Sequence, residues 1–324
     1  MRSHPRPIIL LLLLFASCGR IIAQGRELTP DRVNSRVQAA AVEILINGRL
    51  SGSGAVIDRS GIVVTAAHVV ANPNARIEIL FPDNQKLTAK IHAKDAGHDV
   101  ILLTLPKQSG GYVALQPARR TVTVGSKVFM VASPLFRHRQ LFTGTVTQAH
   151  ASAEFLNPQY VEVFYIQTAS PHGTSGAAWV NSQGQYIGIQ SAMLWVKNAP
   201  QGIAFAAPLS AIEDLLQNPR IVGTPSAGFA VEELWEQSPE FLATVPPELS
   251  GLVIRFLLKG SPFEQAKIPT GTIITHIDTK ALNTRDEFVK QIRSRKIDDT
   301  IQFTIRDADG TNERIVEMKL GKLQ

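Results

Sequence analysis

Residues 170–179 read SPHGTSGAAW, with Ser175 inside a Gly-x-Ser-Gly quartet. Such a quartet is either a nucleophile seated in a tight backbone turn or an ordinary glycine-rich loop that contains a hydroxyl. Four residues do not choose between these, so the surrounding chain must. A serine hydroxyl is a poor nucleophile at neutral pH and needs a base to take its proton. A neutral imidazole supplies that base, and a carboxylate then holds its tautomer. Both lie upstream. GIVVTAAHVV, residues 61–70, sets His68 behind the small pair Ala66 and Ala67 at the end of an apolar run, and KDAGHDVILLTL, residues 94–105, sets Asp99 before another. Singly, His68 reads as a structural histidine and Asp99 as a turn cap. In the order His, Asp, Ser along one β-rich segment, they read as a catalytic constellation. Gly173, two residues before the serine, adds an amide that can join that of Ser175 against a developing oxyanion. One such donor is worth about 2.7–4 kcal/mol.

The segment around these residues has strand grammar. VEILI, GAVID, GIVVTAAHVV, RIEILF, KVFMVAS, YVEVFYIQT and QYIGIQSA are short, largely β-branched runs, each followed within a few residues by Gly, Pro, Asn, Asp or Ser. Regular short strands over this length predict a sandwich or barrels. AAPLSAIEDLLQN, residues 206–218, breaks the pattern with Ala211, Ile212, Leu215 and Leu216 at helical spacing and Ser210 as the expected N-cap. PRIVGTPSAG, residues 219–228, is rich in Pro, Gly and Ser and reads as a domain boundary.

A different module follows. Ser261-Pro262-Phe263-Glu264 and Thr284-Arg285-Asp286-Glu287 both have capping-box form. The second precedes an amphipathic face of Phe288, Val289 and Ile292, the strand TIITHID lies between the two, and Asp309-Gly310 centres a hairpin signature. This predicts a small α+β domain.

Together, SGSGAVIDRSGIVVTAAHVV, DAGHDVILLTL, GTSGAAWVNSQGQYIGIQ and QGIAFAAPLSAIEDLL resemble the HtrA (Deg) family of serine proteases, and the module after them resembles the PDZ domain this family carries. The resemblance implies a mainly β fold, a chymotrypsin-like double β-barrel followed by a small α+β PDZ domain. The expected layout is an export signal over 1–24, a linker over 25–36, a trypsin-like serine protease domain over 37–220 and the PDZ domain over 221–324. Ser175 would be the nucleophile, His68 the general base and acid, and Asp99 the orienting carboxylate, with the Gly173 and Ser175 amides as the oxyanion hole. Ser226, Ala227, Gly228 and Phe229 fall where the family has its carboxylate-binding loop, with a plain linker turn as the alternative. A peptide C-terminus would pair its strand there, beside the helix starting near Arg285. The implied activity is endoproteolysis of unfolded or damaged polypeptides, with no cofactor and no metal, by a chain that assembles as a homotrimer. The competing reading is an inactive pseudoprotease serving as a PDZ adaptor or chaperone.

The sequence departs from the family around the serine. Thr174 stands where asparagine is usual and Ala177 where glycine is, while the segment from Ile166 to the serine is two residues shorter and has Ala169 in place of an acid. His172 is unusual and reads as a loop residue or as a tuner of pH response. His92, His98, His138, His150 and His276 show no spacing that suggests metal ligation, and the run Phe136 to Arg139 reads as a solvated loop.

At the N-terminus, Arg2 and Arg6 precede the run IILLLLLFA, residues 8–16. Spanning a bilayer takes about twenty apolar residues, so this run fits the short core of an export signal and places the chain in a bacterial periplasm or cell envelope. Cys18, the only cysteine, closes LFASC, which resembles a lipobox apart from Phe15. Lipidation of Cys18 with anchoring to a membrane, and simple removal with cleavage near Ala23, both remain open. Either way the exported body has no disulfide, which excludes the cross-linked secreted folds. The net charge of +6 halves without the three arginines of the first 24 residues. No basic stripe interleaved with aromatics appears, so nucleic acid is excluded as a partner.

Overall fold

The computed structural model describes residues 27–156, 159–221 and 223–323. The expected export signal, with Cys18 and Ala23, therefore lies outside the described residues. The chain opens with helix α1 (Pro30–Gln38) and strands β1 (Ala41–Ile46), β2 (Arg49–Asp58), β3 (Ile62–Ala66), β4 (Ile77–Leu80), β5 (Lys86–Asp95) and β6 (Val100–Thr104). Next come β7 (Lys127–Ala132), β8 (Gln140–Leu156), β9 (Gln159–Gln167), β10 (Ala178–Val180), β11 (Tyr186–Val196), β12 (Ala199–Pro208) and α2 (Leu209–Gln217). These strands close into two six-stranded antiparallel barrels, ordered β1-β2-β3-β6-β5-β4 and β10-β11-β12-β9-β8-β7. Closure removes the exposed edges that would otherwise invite aggregation. The expected double barrel is borne out.

The segment 25–36 needs correction, because it is not a plain linker. From Pro30 it is helical, and Val33 and Val37, one turn apart, are 0% and 1% exposed in an apolar cluster shared by both barrels, where α1 packs against β7. The many polar residues masked an apolar pair at i,i+4, which is enough to seat a short helix. Helix α2 forms as expected, yet Ser210 is not its N-cap; the extended residue before its first turn is Pro208. Ile212 and Leu215 of α2 are fully buried. Beyond the helix, Lys94 N donates to Arg220 O at 2.8 Å, so the boundary segment first runs along β5 before leaving the barrels.

The second module comprises β13 (Pro225–Ser226), β14 (Phe229–Glu233), α3 (Pro239–Leu242), β15 (Leu252–Leu257), α4 (Pro262–Gln265), β16 (Ile273–Ile277) and β17 (Lys280–Ala281). It ends with α5 (Arg285–Arg293), β18 (Thr300–Arg306), β19 (Arg314–Lys319) and β20 (Gly321–Lys322). Its main sheet is ordered β14-β15-β16-β18-β19, and β13 pairs β20. The Thr284 capping box is complete, the Thr284 hydroxyl accepting from Glu287 N while the Glu287 carboxylate accepts from Thr284 N. At Ser261 only half forms, because the Glu264 carboxylate reaches Gly260 N instead. Phe288, Val289 and Ile292 of α5 face a core of Phe229, Phe263 and Phe303. Ala153 and Tyr160, from the β8–β9 hairpin, belong to that same core, so the second barrel and the C-terminal domain share apolar packing.

Candidate active site

Asp99 is placed by an unusual backbone. It adopts a left-handed conformation (φ 55°) just before β6, and is 3% exposed. Aspartate tolerates this region better than most residues, but it still needs outside support. That support comes from the residues Asp99 serves. Its carbonyl accepts from Ala67 N at 2.9 Å, and its Oδ1 accepts from His68 N at 2.9 Å. Its Oδ2 accepts from His68 Nδ1 at 2.8 Å and from Ser191 Oγ at 2.5 Å. The imidazole is thereby fixed with Nδ1 as donor, leaving Nε2 as the free base. Desolvation pulls the His68 pKa down, but the hydrogen bond and charge of Asp99 outweigh it and leave it above the ordinary histidine value.

Ser175 is carried on the loop between β9 and β10, pinned from the first barrel. Ser53 N donates to Ser175 O at 2.8 Å, and Ser53 Oγ donates to Gly173 O at 2.8 Å. Gly176 is left-handed (φ 84°), and a Cβ there would collide with the Thr65 hydroxyl and Ser53 O. Ala177 is absent from the left-handed residues, so alanine costs nothing at that position. Thr174, 3% exposed, shows how the shortened loop closes. Its hydroxyl donates to Pro171 O at 2.9 Å and lies 2.7 Å from Ser170 Oγ, tying 170–174 into a compact turn. His172 stacks on Trp195, ring centroids 5.5 Å apart.

His68, Asp99 and Ser175 line one cleft of about 580 Å³, whose apolar wall includes Phe205, Met193 and Trp195. Ser175 Oγ donates to Ser191 O at 3.4 Å, and no hydrogen bond joins it to His68 among the described residues. Hydrogen bonds between a serine nucleophile and its base are often loose before substrate binds. The backbone at Gly173 is better defined. Leu135 N donates to His172 O at 3.0 Å. A trans peptide points its C=O and N–H in opposite directions, so the bond that draws the His172 carbonyl away directs the Gly173 N–H to the other side. Neither Gly173 N nor Ser175 N donates to an acceptor among the described residues.

Sequence reading missed Ser191 and Leu135. Ser191 matters only once the second barrel closes and brings β11 beside Asp99, and Leu135 contributes a backbone amide, which no side-chain pattern announces. His98 also has partners the sequence reading did not foresee. Its Nδ1 lies 2.9 Å from Asp95 Oδ2 and its Nε2 3.5 Å from Glu162 Oε2. Burial lowers its pKa, but these carboxylates outweigh that and push it up to about 9, while the His98 hydrogen bond helps hold Glu162 down at about 2. Arg293, at the end of α5, joins this cluster through Glu162 and also donates to Tyr160 O at 2.9 Å.

The loop Ser226 to Phe229 lies in the C-terminal domain, apart from the cleft. Gly228 is left-handed (φ 75°) and its N donates to Ser226 Oγ at 3.1 Å, turning the chain into β14. The β14 edge beside α5, where a peptide strand is expected to pair, already has a neighbour. Val231 N donates to Tyr160 Oη at 2.7 Å, and Tyr160 Oη donates to Val231 O at 3.0 Å. The Tyr160 ring packs on Phe288 of α5 and on Phe155. The β8–β9 hairpin therefore covers this stretch of the β14 edge. Polar contacts hold it, with Ala153 N donating to Asp286 Oδ1 at 2.7 Å and Glu154 pairing with Arg285 at 3.9 Å.

Comparison with known proteins places these parts. Residues 52–189 match the trypsin-like peptidase domain and residues 228–317 the PDZ domain. The chain is 26% identical over 262 residues to a probable periplasmic serine endoprotease DegP-like of Rhizobium meliloti, covering 79% of this chain and 51% of that protein. It is 27% identical over 296 residues to the serine protease Do-like HtrA of Lactobacillus helveticus, covering 85% of this chain and 70% of that one. A mitochondrial serine protease HTRA2 of Drosophila grimshawi is 25% identical over 274 residues, 76% of this chain and 62% of that protein. The chain thus spans about half to two thirds of the length of most of these relatives. Among solved structures, the HtrA-type protease AlgW with a tripeptide superposes with a TM-score of 0.64 at 19% identity, covering 91% of this chain and 98% of that one. The serine endoprotease from Yersinia pestis gives 0.59 at 20% identity, covering 92% and 100%.

Proposed function

Because this chain belongs to the HtrA/Deg family of serine proteases, with one trypsin-like peptidase domain and one PDZ domain, we propose that it is an endopeptidase acting on unfolded or damaged polypeptides through an acyl-enzyme. One observation carries the reading: the His68 imidazole is tethered through Nδ1 to Asp99 at 2.8 Å, in the cleft that Ser175 lines. His68 Nε2 takes the Ser175 proton as Oγ attacks the scissile carbonyl. Asp99 stabilises the imidazolium, and His68 then protonates the leaving amine. The tetrahedral oxyanion is received by the Gly173 and Ser175 N–H groups, a role supported by the Leu135 bond that turns the His172 carbonyl away. Water, activated by the same histidine, hydrolyses the ester. Metal and cofactor have no part in these steps.

The Ser226–Phe229 loop is proposed to take the carboxylate of a peptide C-terminus, once the β8–β9 hairpin yields the β14 edge. Export to the periplasm or cell envelope is supported by the sequence from Arg2 to Cys18 and by the periplasmic relative. Lipid anchoring at Cys18 and a homotrimer complete the proposal, the first checked by mass spectrometry of the mature N-terminus and the second by light scattering. The activity is tested with a fluorophosphonate probe and unfolded casein. Labelling and cleavage in the wild type, both abolished by Ser175→Ala, are expected. A wild-type protein that cleaves nothing and is not labelled at Ser175 would leave a PDZ adaptor in its place.

A further inference from the structure

Glu43 is a glutamate in the interior of a β-strand, 1% exposed. A buried carboxyl group is costly unless its oxygens are satisfied, and here one oxygen collects three donors. Ser133 Oγ donates to Glu43 Oε1 at 2.7 Å, His138 Nδ1 lies at 2.7 Å and Arg139 Nη1 at 3.4 Å. All three belong to the loop 133–139 between β7 and β8, so a group in the first barrel grips a loop of the second at both ends. The grip continues inward, since Ser133 Oγ also accepts from Arg139 N at 2.9 Å.

That loop holds itself in a form its residues do not favour. Leu135, Phe136 and Arg139 are all left-handed, with φ of 46°, 62° and 49°, a region that costs every non-glycine residue. Leu135 and Phe136 are 52% and 72% exposed, so their side chains contribute little packing to hold it. Yet the loop is in intimate contact with the oxyanion turn. A Cβ on Gly173 would lie 2.9 Å from Ser133 O and 3.2 Å from Leu135 N. Leu135 N donates to His172 O, and Ser133 N donates at 3.0 Å to the same Ser53 hydroxyl that holds Gly173 O.

We propose that Glu43 is a positioning residue for the oxyanion hole: it fastens the strained loop 133–139 so that the Leu135 amide keeps the His172–Gly173 peptide turned with its N–H toward the cleft. Glu43 touches neither substrate nor triad, and acts through Ser133, Leu135 and His172 in turn. The role rests on Ser175 being the nucleophile and on Gly173 N–H receiving the oxyanion. Fluorophosphonate labelling of the wild type tests that reading separately.

The test compares Glu43→Leu, Glu43→Gln and Ser133→Ala by steady-state kinetics on a peptide substrate, together with two ligands. A peptide boronate forms a tetrahedral adduct with the serine and needs the oxyanion donors. The matching non-covalent product peptide, made without its terminal carboxylate so that nothing reaches those donors, does not. Deleting one oxyanion donor lowers kcat by about 10²–10³ fold, and a donor that is present but no longer aimed should lose part of that, about 10- to 100-fold. Glu43→Leu is expected to show that fall in kcat and an equal weakening of the boronate, with KM and product-peptide affinity within about twofold of wild type. Glu43→Gln, which keeps an acceptor oxygen in place, is expected to recover most of the loss. If Glu43→Leu does not fold, Ser133→Ala, which deletes only the hydroxyl between Glu43 and the Arg139 amide, carries the test with the same pattern. Wild-type kcat in both Glu43→Leu and Ser133→Ala overturns the proposal. So does a fall in kcat matched by an equal loss of product-peptide affinity, because a general collapse of the cleft would produce it.

Discussion

Replacing Tyr160 with phenylalanine isolates the hydroxyl that covers the β14 edge. Tyr160 is 7% exposed and its Oη makes two bonds, accepting from Val231 N at 2.7 Å and donating to Val231 O at 3.0 Å. The ring contacts with Phe155 and Phe288 survive the change. Each lost bond is worth about 1 kcal/mol net, so the covered state should weaken by about 2 kcal/mol. A peptide that needs the uncovered edge binds with an apparent Kd divided by the fraction of molecules in which that edge is free. At about 1.4 kcal/mol per tenfold, that fraction rises about 30-fold, and by at least about fivefold if only one bond counts. The assay is fluorescence anisotropy with a labelled peptide ending in an apolar residue and a free carboxylate, alongside the same peptide amidated at its C-terminus. Tighter binding of the free acid to Tyr160→Phe, with little gain for the amide, is the expected result. An unchanged Kd would refute the idea that the Tyr160 hydroxyl competes with peptide. Equal gains for acid and amide would refute the carboxylate role of Ser226 to Phe229.

Two further outcomes follow from the buried charges. His98 has a folded pKa of about 9, above its unfolded value near 6.5, so its pairing with Asp95 and Glu162 stabilises fully below about pH 6.5 and is lost as pH rises through about 9. At 1.36 kcal/mol per unit this amounts to at most about 3.4 kcal/mol. Urea denaturation should therefore show His98→Asn less stable than wild type at pH 6, with the gap mostly closed by pH 10; a gap independent of pH would refute the pairing. Ser191→Ala removes the 2.5 Å donor that helps fix the orientation of the Asp99 carboxylate, and the looser carboxylate should lower kcat/KM about tenfold, the low end for a charge-assisted bond worth about 1.5–3 kcal/mol. With that competitor gone, Asp99 holds the imidazolium more strongly, so the acid limb of the pH–rate profile should move up; a limb that stays put or moves down contradicts the assigned geometry.

The constellation proposed as catalytic was legible because its chemistry demands particular side chains in particular settings. His68 and Asp99 each flank an apolar strand, and barrel closure then brings the ends of β3 and β6 together, since those strands pair in register from Ile62–Thr104 to Ala66–Val100. Thr174 and Ala177 looked like departures from the family pattern. In the structure, the threonine hydroxyl supplies the closure that a shorter loop requires, and the alanine occupies a position with no need of glycine. Contacts made by backbone, or between residues far apart in the chain, were not legible. Val33 and Val37 were hidden by their polar neighbours. Tyr160 lies in an ordinary strand run, and nothing local to it says that its hydroxyl will meet Val231 across 71 residues of chain.

The same distinction explains why Glu43 escaped notice. In VEILI it looks like the solvent-facing residue of a half-buried strand, since alternation normally puts the polar residue outside. The burial pattern of β1 is continuous instead, with Ala41 to Leu45 all buried, because one face lines its own barrel and the other meets the second. A charge on such a strand must find donors across the interface, and the donors available are those of the loop 133–139. Ser53, which pairs with Glu43 in the β1–β2 register, does the corresponding task one strand over by holding both Ser133 N and Gly173 O. The turn at Gly173 is thus supported from the first barrel at two adjacent points, Ser53 directly and Glu43 through a loop. A shortened turn that lacks the usual residues around Ser175 can stay in an ordered shape on that support, because much of what holds it is built into β1 and β2 rather than into the turn.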